Sequence, residues 1–227
     1  MAYIIKNILG TLRGTVSQVV FKKKGELCYA TSKPGKRPAS KDPAAVSRMT
    51  QFKTAVEIAS GVNRIDILKG LWPADPTKHL SRFQSIVGVN YKLVNGTDLS
   101  GDATLTPPFG FEVGNPLLSI SADSILFTAD ALGDHREIND VLEKFLTGAG
   151  IVIMKDPTDN LSPKVNTMII RAGMQSLATD APISLAMTLT EKEKSILAKY
   201  TTKRAFFAMV TTDTPGNVIH YSTTYGS

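Results

Sequence analysis

Side chains able to do acid–base, nucleophilic or metal chemistry are few in this chain, and they are scattered. The three histidines, His79, His135 and His220, fall in three different segments. No H-x-x-x-H or H-E-x-x-H pattern joins any of them, so the helical spacing of a zinc protease is missing. The single cysteine, Cys28, cannot close an intramolecular disulfide and excludes zinc sites built on several thiolates. It lies between Leu27 and Tyr29 with no base beside it in sequence, so it reads as a packed thiol in a strand. Carboxylates gather in Asp130, Asp134, Glu137, Asp140 and Glu143. Steps of three and four would set pairs of them along one side of a helix. A solvated face and an acid–base pair both fit that spacing, and only burial would make the second. Asp156 and Asp159 mark a turn without the spacing of an EF-hand loop. The phosphate loop, the dinucleotide fingerprint and the G-x-S-x-G elbow are all missing; Gly10 and Gly14 precede strand-like residues. The sequence therefore predicts no catalytic residue, no metal site and no cofactor.

Charge is the more informative chemistry. The 227 residues hold 26 Lys and Arg against 20 Asp and Glu, a net charge of +6. Residues 1–60 hold 11 basic and 3 acidic side chains, and the remainder 15 and 17. The basic excess thus belongs to the first quarter of the chain. Arg13, Lys22, Lys23, Lys24, Lys33, Lys36, Arg37 and Lys41 are the candidate contact residues. Pro34, Pro38 and Pro43 fall among them, and proline fixes φ and pushes the preceding residue to extended geometry. Residues 32–43 therefore read as an extended, solvated arm. Such an arm suits an anionic partner: nucleic acid, an acidic protein surface or a membrane surface. It equally suits a solvated linker. Nucleic-acid contact would be salt-sensitive and nonspecific, since only Phe21 and Tyr29 interleave the arm and no recognition motif accompanies it.

The elements that must position these residues follow from period and punctuation. Residues 10–21 and 27–31 are strand-like around a Lys-Gly turn, which predicts a hairpin. A helix is expected from Asp42 as cap and Pro43 as first residue to Gly61 just past its end. A second is expected from about Pro76 to Tyr91, with Leu80, Phe83, Val87 and Tyr91 on one stripe and Asp75 or Thr77 as its cap. Trp72, the only tryptophan, lies in the link between them and reads as a packing anchor. From residue 95 onward, short apolar runs separated by turn residues suggest strands at 117–120, 124–128, 150–154, 166–171, 183–188, 204–211 and 217–223. Ile138, Val141, Leu142 and Phe145 predict an acidic helix inserted near residues 134–147. Thr190 and Glu193 form a capping-box pattern ahead of another short helix. The fold class expected is α+β, mainly β: an antiparallel, immunoglobulin-like β-sandwich with an N-terminal hairpin and arm and two or three helices. Its divisions would be residues 1–41, 42–95 and 96–227. No run of about 18 apolar residues predicts a membrane span, and no apolar core of a secretory signal follows Met1.

Gly10, Gly14 to Lys22, Lys36-Arg37-Pro38, a helix carrying Arg48 and Phe52, and Asn90-Tyr91 together resemble an uncharacterised bacterial and phage-borne family. Phe206 to Thr211, Pro215-Gly216 and Val218 to Tyr225 match its closing strands. The resemblance implies an immunoglobulin-like C-terminal β region and carries over no catalytic residue. With the arm and the missing catalytic set, it leads to the expectation of a non-enzymatic structural protein of a large assembly. A bacteriophage virion component, made in the host cytoplasm, is the form expected. Its partners would be copies of itself and other assembly proteins. The alternative is a non-catalytic module binding carbohydrate or protein, with Trp72 or residues 105–110 as its site.

Overall fold

In the computed structural model, residues 2–4, 14–16, 18–24, 27–35, 40–74, 81–94, 102–133, 138–139 and 141–227 are described. The chain divides into two units, Met1–Asp42 and Pro43–Ser227.

In the first unit, β1 (Ala2–Ile4), β2 (Gly14–Val16), β3 (Val19–Lys24) and β4 (Leu27–Ser32) form an antiparallel sheet in the order β1-β4-β3-β2. The expected single strand over residues 10–21 is instead two. Gln18 stands in a turn, and β2 folds back on β3 so that Val16 faces Val19. The Lys33 N–H donates to the Gln18 carbonyl at 2.6 Å and carries the chain past that turn.

The second unit opens with helices α1 (Pro43–Asn63), α2 (Asp66–Leu71) and α3 (Arg82–Leu93). Strands β5 (Leu117–Ile120), β6 (Ser124–Ala129), β7 (Phe145–Pro157), β8 (Val165–Arg171), β9 (Gln175–Ser176) and β10 (Ile183–Thr188) follow. Helix α4 (Glu191–Ala198) then precedes β11 (Tyr200–Thr212), β12 (Val218–Tyr221) and β13 (Tyr225–Gly226). Among the described residues the protein is mainly β, with antiparallel sheets and four helices. A small sheet runs β10-β6-β5, and a large one β12-β11-β7-β8, with β13 on β11 and β9 on β7.

One apolar cluster joins the small sheet to one face of the large one. Phe127, Leu185 and Met187 meet Val152, Phe207 and Met209 in it. A second cluster lies on the opposite face, where Ile58, Leu68 and Ile86 of the helices meet Ile151, Ile153, Phe206 and Ala208. Strands β7 and β11 are thus buried on both sides, so their sequences read as continuous apolar runs. Strand β10 has one buried face and keeps a strict alternation, with Ile183, Leu185 and Met187 inward.

Two local expectations need correction. Gly61 does not end the first helix; it lies inside α1, where an added Cβ would stand 2.8 Å from Cγ2 of Ile151. Glycine there lets α1 lie close on β7. Nor do the described residues of 134–147 form a helix. Leu142 N–H donates back to the Asn139 carbonyl in a turn, and β7 has begun by Phe145. The helix-like spacing comes from turn residues running into a strand. The second predicted helix begins at Arg82, capped reciprocally by Ser81 and Gln84; its expected caps, Asp75 and Thr77, lie outside the described residues.

Candidate functional site

The basic residues occupy the N-terminal unit. Lys22 is exposed on β3, and Lys23 and Lys24 follow it opposite Cys28 and Leu27. Lys33 is exposed just past β4, and Lys41 is exposed ahead of α1. Arg13, Lys36 and Arg37 lie outside the described residues. Apolar side chains share this unit: Val19 is exposed, while Val20, Phe21 and Tyr29 are half-buried. Among the side chains described in the unit, none is buried. A sheet is stabilised by covering at least one apolar face, and the described side chains of this one show none that is buried.

Trp72 is buried, and its indole N–H donates to the Leu105 carbonyl at 2.9 Å. It joins the helices to the segment leading into β5 and presents no exposed ring. Asn90 supports the same segment in a way its sequence context did not reveal. Its Nδ2 donates to the Ile86 and Thr104 carbonyls at 3.0 and 2.9 Å, and its Oδ1 accepts from the Thr104 N–H at 2.9 Å. The side chain thereby imitates a strand partner for Thr104. In residues 105–110, Phe109 is 98% exposed and adopts a positive φ of 75°.

One acid–base pair is also brought together. The Glu143 carboxylate is fully buried, and its Oε1 lies 3.0 Å from Nδ1 of the part-exposed His220. The Asn139 N–H donates to the same oxygen at 2.8 Å. Oε2 of Glu143 has no hydrogen-bond partner among the described residues. A carboxylate that orients an imidazole can serve a general base, yet the Thr211 hydroxyl bonds only the main chain of His220, and no described hydroxyl or thiol is hydrogen-bonded to its imidazole. The pair joins residues 77 positions apart, tying the turn before β7 to β12. The other histidines, His79 and His135, lie outside the described residues, as do Asp134, Glu137 and Asp140.

The turn carboxylates are spent on local structure. Asp159 accepts from the N–H groups of Leu161 and Ser162 and from the Ser162 hydroxyl, bonds that hold its pKa below the ordinary carboxylate value. Asp156 Oδ2 accepts from the Thr202 hydroxyl at 2.8 Å. Among the described residues, no group of three or more His, Cys, Asp or Glu could hold a metal, and no helix is long and apolar enough to cross a membrane.

Two of the concavities among the described residues of the body are the larger. One of about 640 Å³ is lined by Ile120, Asp123, Lys194, Leu197 and Lys203. Lys194 is bonded there to Glu191 and Asp123, each at 2.9 Å, and these bonds raise its pKa. The other, about 410 Å³, is an apolar groove between α1 and α3 lined by Phe52, Val56, Phe83, Val87, Gly88 and Tyr91. The Phe52 and Tyr91 rings meet edge-on at 6.4 Å in its wall. Neither concavity is lined by Glu143 or His220. No protein family, curated protein or solved structure matches the chain.

Proposed function

We propose that the chain is a non-enzymatic structural protein of a large assembly, with its basic N-terminal unit making contacts between subunits. A bacteriophage virion component of the capsid, its accessory proteins or the tail is the form this reading takes, made in the host cytoplasm. The observation that carries it is the N-terminal sheet. Its described apolar side chains remain at least partly exposed, and Lys22, Lys33 and Lys41 stand in solvent beside them. Its outer strands, β1 and β2, each pair on one side only among the described strands. A short free edge and an uncovered face can be completed by a neighbouring subunit through strand addition and apolar burial. The lysines would meet acidic protein surface or, nonspecifically, nucleic acid. An immunoglobulin-like sandwich is the proposed form of the body, supported by the small sheet packing on one face of the large one.

Removing residues 1–42 tests this reading. The remaining chain is expected to keep a cooperative melt but to lose the large particles that the full chain forms under the same conditions. Full particles from the truncated chain would overturn the role given to the N-terminal unit.

Phe109 favours a second reading, a non-catalytic carbohydrate- or protein-binding module. An almost fully exposed ring held at positive φ is a ready platform for a ligand face. That reading expects a stable monomer for the full chain and loss of ligand binding on Phe109→Ala.

A further inference from the structure

The cavity of about 640 Å³ lies at an open end of the core between the two sheets. Leu197 of α4 belongs to that core, and Ile120 at the end of β5 packs against it. Both line the cavity, with Ala122 and Ala198 as further apolar wall. On β11, Ala205 and Phe207 project into the same core. Strand alternation sets Lys203 on their face, one step past the buried residues, and it too lines the cavity. The space is therefore apolar where it meets the core and cationic where it meets solvent.

Most polar groups of the lining are already committed. The Ser121 hydroxyl donates to the Ser124 carbonyl at 2.6 Å, and the Thr201 hydroxyl to the Asp156 carbonyl at 3.0 Å. Lys194 is held between Asp123 and Glu191. These bonds pin the β5–β6 turn and α4, so the cavity stands on preformed elements. Lys203 differs from Lys194. It is exposed and bonded to no carboxylate among the described residues.

This lining selects among ligands. Among the described residues it holds no aromatic ring and no arginine. A base or sugar that needs a stacking face is poorly matched, as is a phosphate that needs a bidentate guanidinium. Asp123 and the carbonyl end of α4 would oppose a dianion. One uncommitted ammonium suits a single negative charge, and the aliphatic wall suits a hydrocarbon chain.

We propose that this cavity binds an aliphatic monocarboxylate, its chain against Ile120, Leu197 and Ala198 and its carboxylate on Lys203. The site uses no residue of the N-terminal unit and is independent of the assembly reading.

Photolabelling of the full chain tests the site. Octanoate bearing a diazirine on its chain is irradiated with the protein, and the labelled peptides are sequenced. Label is expected in the peptides holding residues 120–123 and 194–203, and plain octanoate should displace it. Octanol, which lacks the charge, and inorganic phosphate, which lacks the chain, should displace it poorly. Lys203→Gln is expected to weaken octanoate about threefold, and Lys203→Arg to restore it. Ala198→Phe, at an exposed position of the wall, should keep the melting temperature and remove the label by filling the cavity. Label that is absent or lands elsewhere, octanol displacing as well as octanoate, or Lys203→Gln without effect would overturn the site and leave the assembly reading standing.

Discussion

The two units are stabilised in opposite ways. In the body, β7 and β11 are covered on both faces, and side chains from Ala205 to Val210 reach zero to a few per cent exposure. In the N-terminal unit, four strands pair correctly, yet none of the described side chains is buried. Hydrogen-bonded strands alone leave a sheet marginal in water; packing of an apolar face supplies the difference. The charges divide the same way, with nine basic and two acidic residues in Met1–Asp42 against a slightly acidic body. One unit holds a covered core, and the other shows no buried side chain among those described.

The largest expected effect separates them directly. Phe207→Ala removes a fully buried ring that lies 5.1 Å from Phe127, and should cost about 3–5 kcal/mol by chemical denaturation. Val19→Ala in the N-terminal sheet should change stability by no more than about 0.5 kcal/mol. Equal losses at the two sites would erase the distinction. Asn90→Ala comes next. It strands the Thr104 N–H and carbonyl in a part-buried setting and should cost about 2 kcal/mol, read from the same denaturation curves. Thr190→Ala removes the hydroxyl that accepts from the Glu193 N–H at 3.4 Å, and about 1 kcal/mol should go with it.

The smallest effect is acid sensitivity of the body. Hydrogen bonds from Asn217 and Thr214 to Asp213, and from Ser162 to Asp159, depress both carboxyl pKa values. A depressed folded pKa adds stability above the unfolded value, and that stability is lost as pH falls through the folded one. The melting temperature should therefore decline below about pH 4. Asp159→Asn with Asp213→Asn should flatten that decline, and an unchanged slope would deny the two turns any part in it.

Sequence legibility tracked the number of buried faces. Strand β10 was readable because one face is buried, and the turn-flanked run 117–120 coincides with β5. The Thr190–Glu193 capping box was readable because its partners are three residues apart. Strands β7 and β11 were seen only in part: burial on both sides removes the alternation that marks a strand's ends. Residues 138–145 imitated a helix because two solvent-facing turn residues fell by chance between apolar ones. The Asn90–Thr104 and Glu143–His220 contacts could not be read, since tertiary folding alone brings their partners together. The basic character of the first quarter was legible from composition. The exposure of the described side chains of the sheet carrying it was not, because exposure depends on what packs above a strand.

Strand β11 has one further consequence. Ala205, Phe207 and Met209 project into the core shared with the small sheet, while Phe206, Ala208 and Val210 project into the core shared with the helices. Neighbouring letters of one hexapeptide thus report on different compartments. A methyl group added at Ala208 presses on the helical layer, and one added at Ala205 presses on the small sheet. Because both pressures act on one backbone, already bonded to β7 from Tyr200 to Thr212, neither compartment can loosen alone. The helices and the small sheet should melt together, with β11 as the partition that makes them one thermodynamic unit.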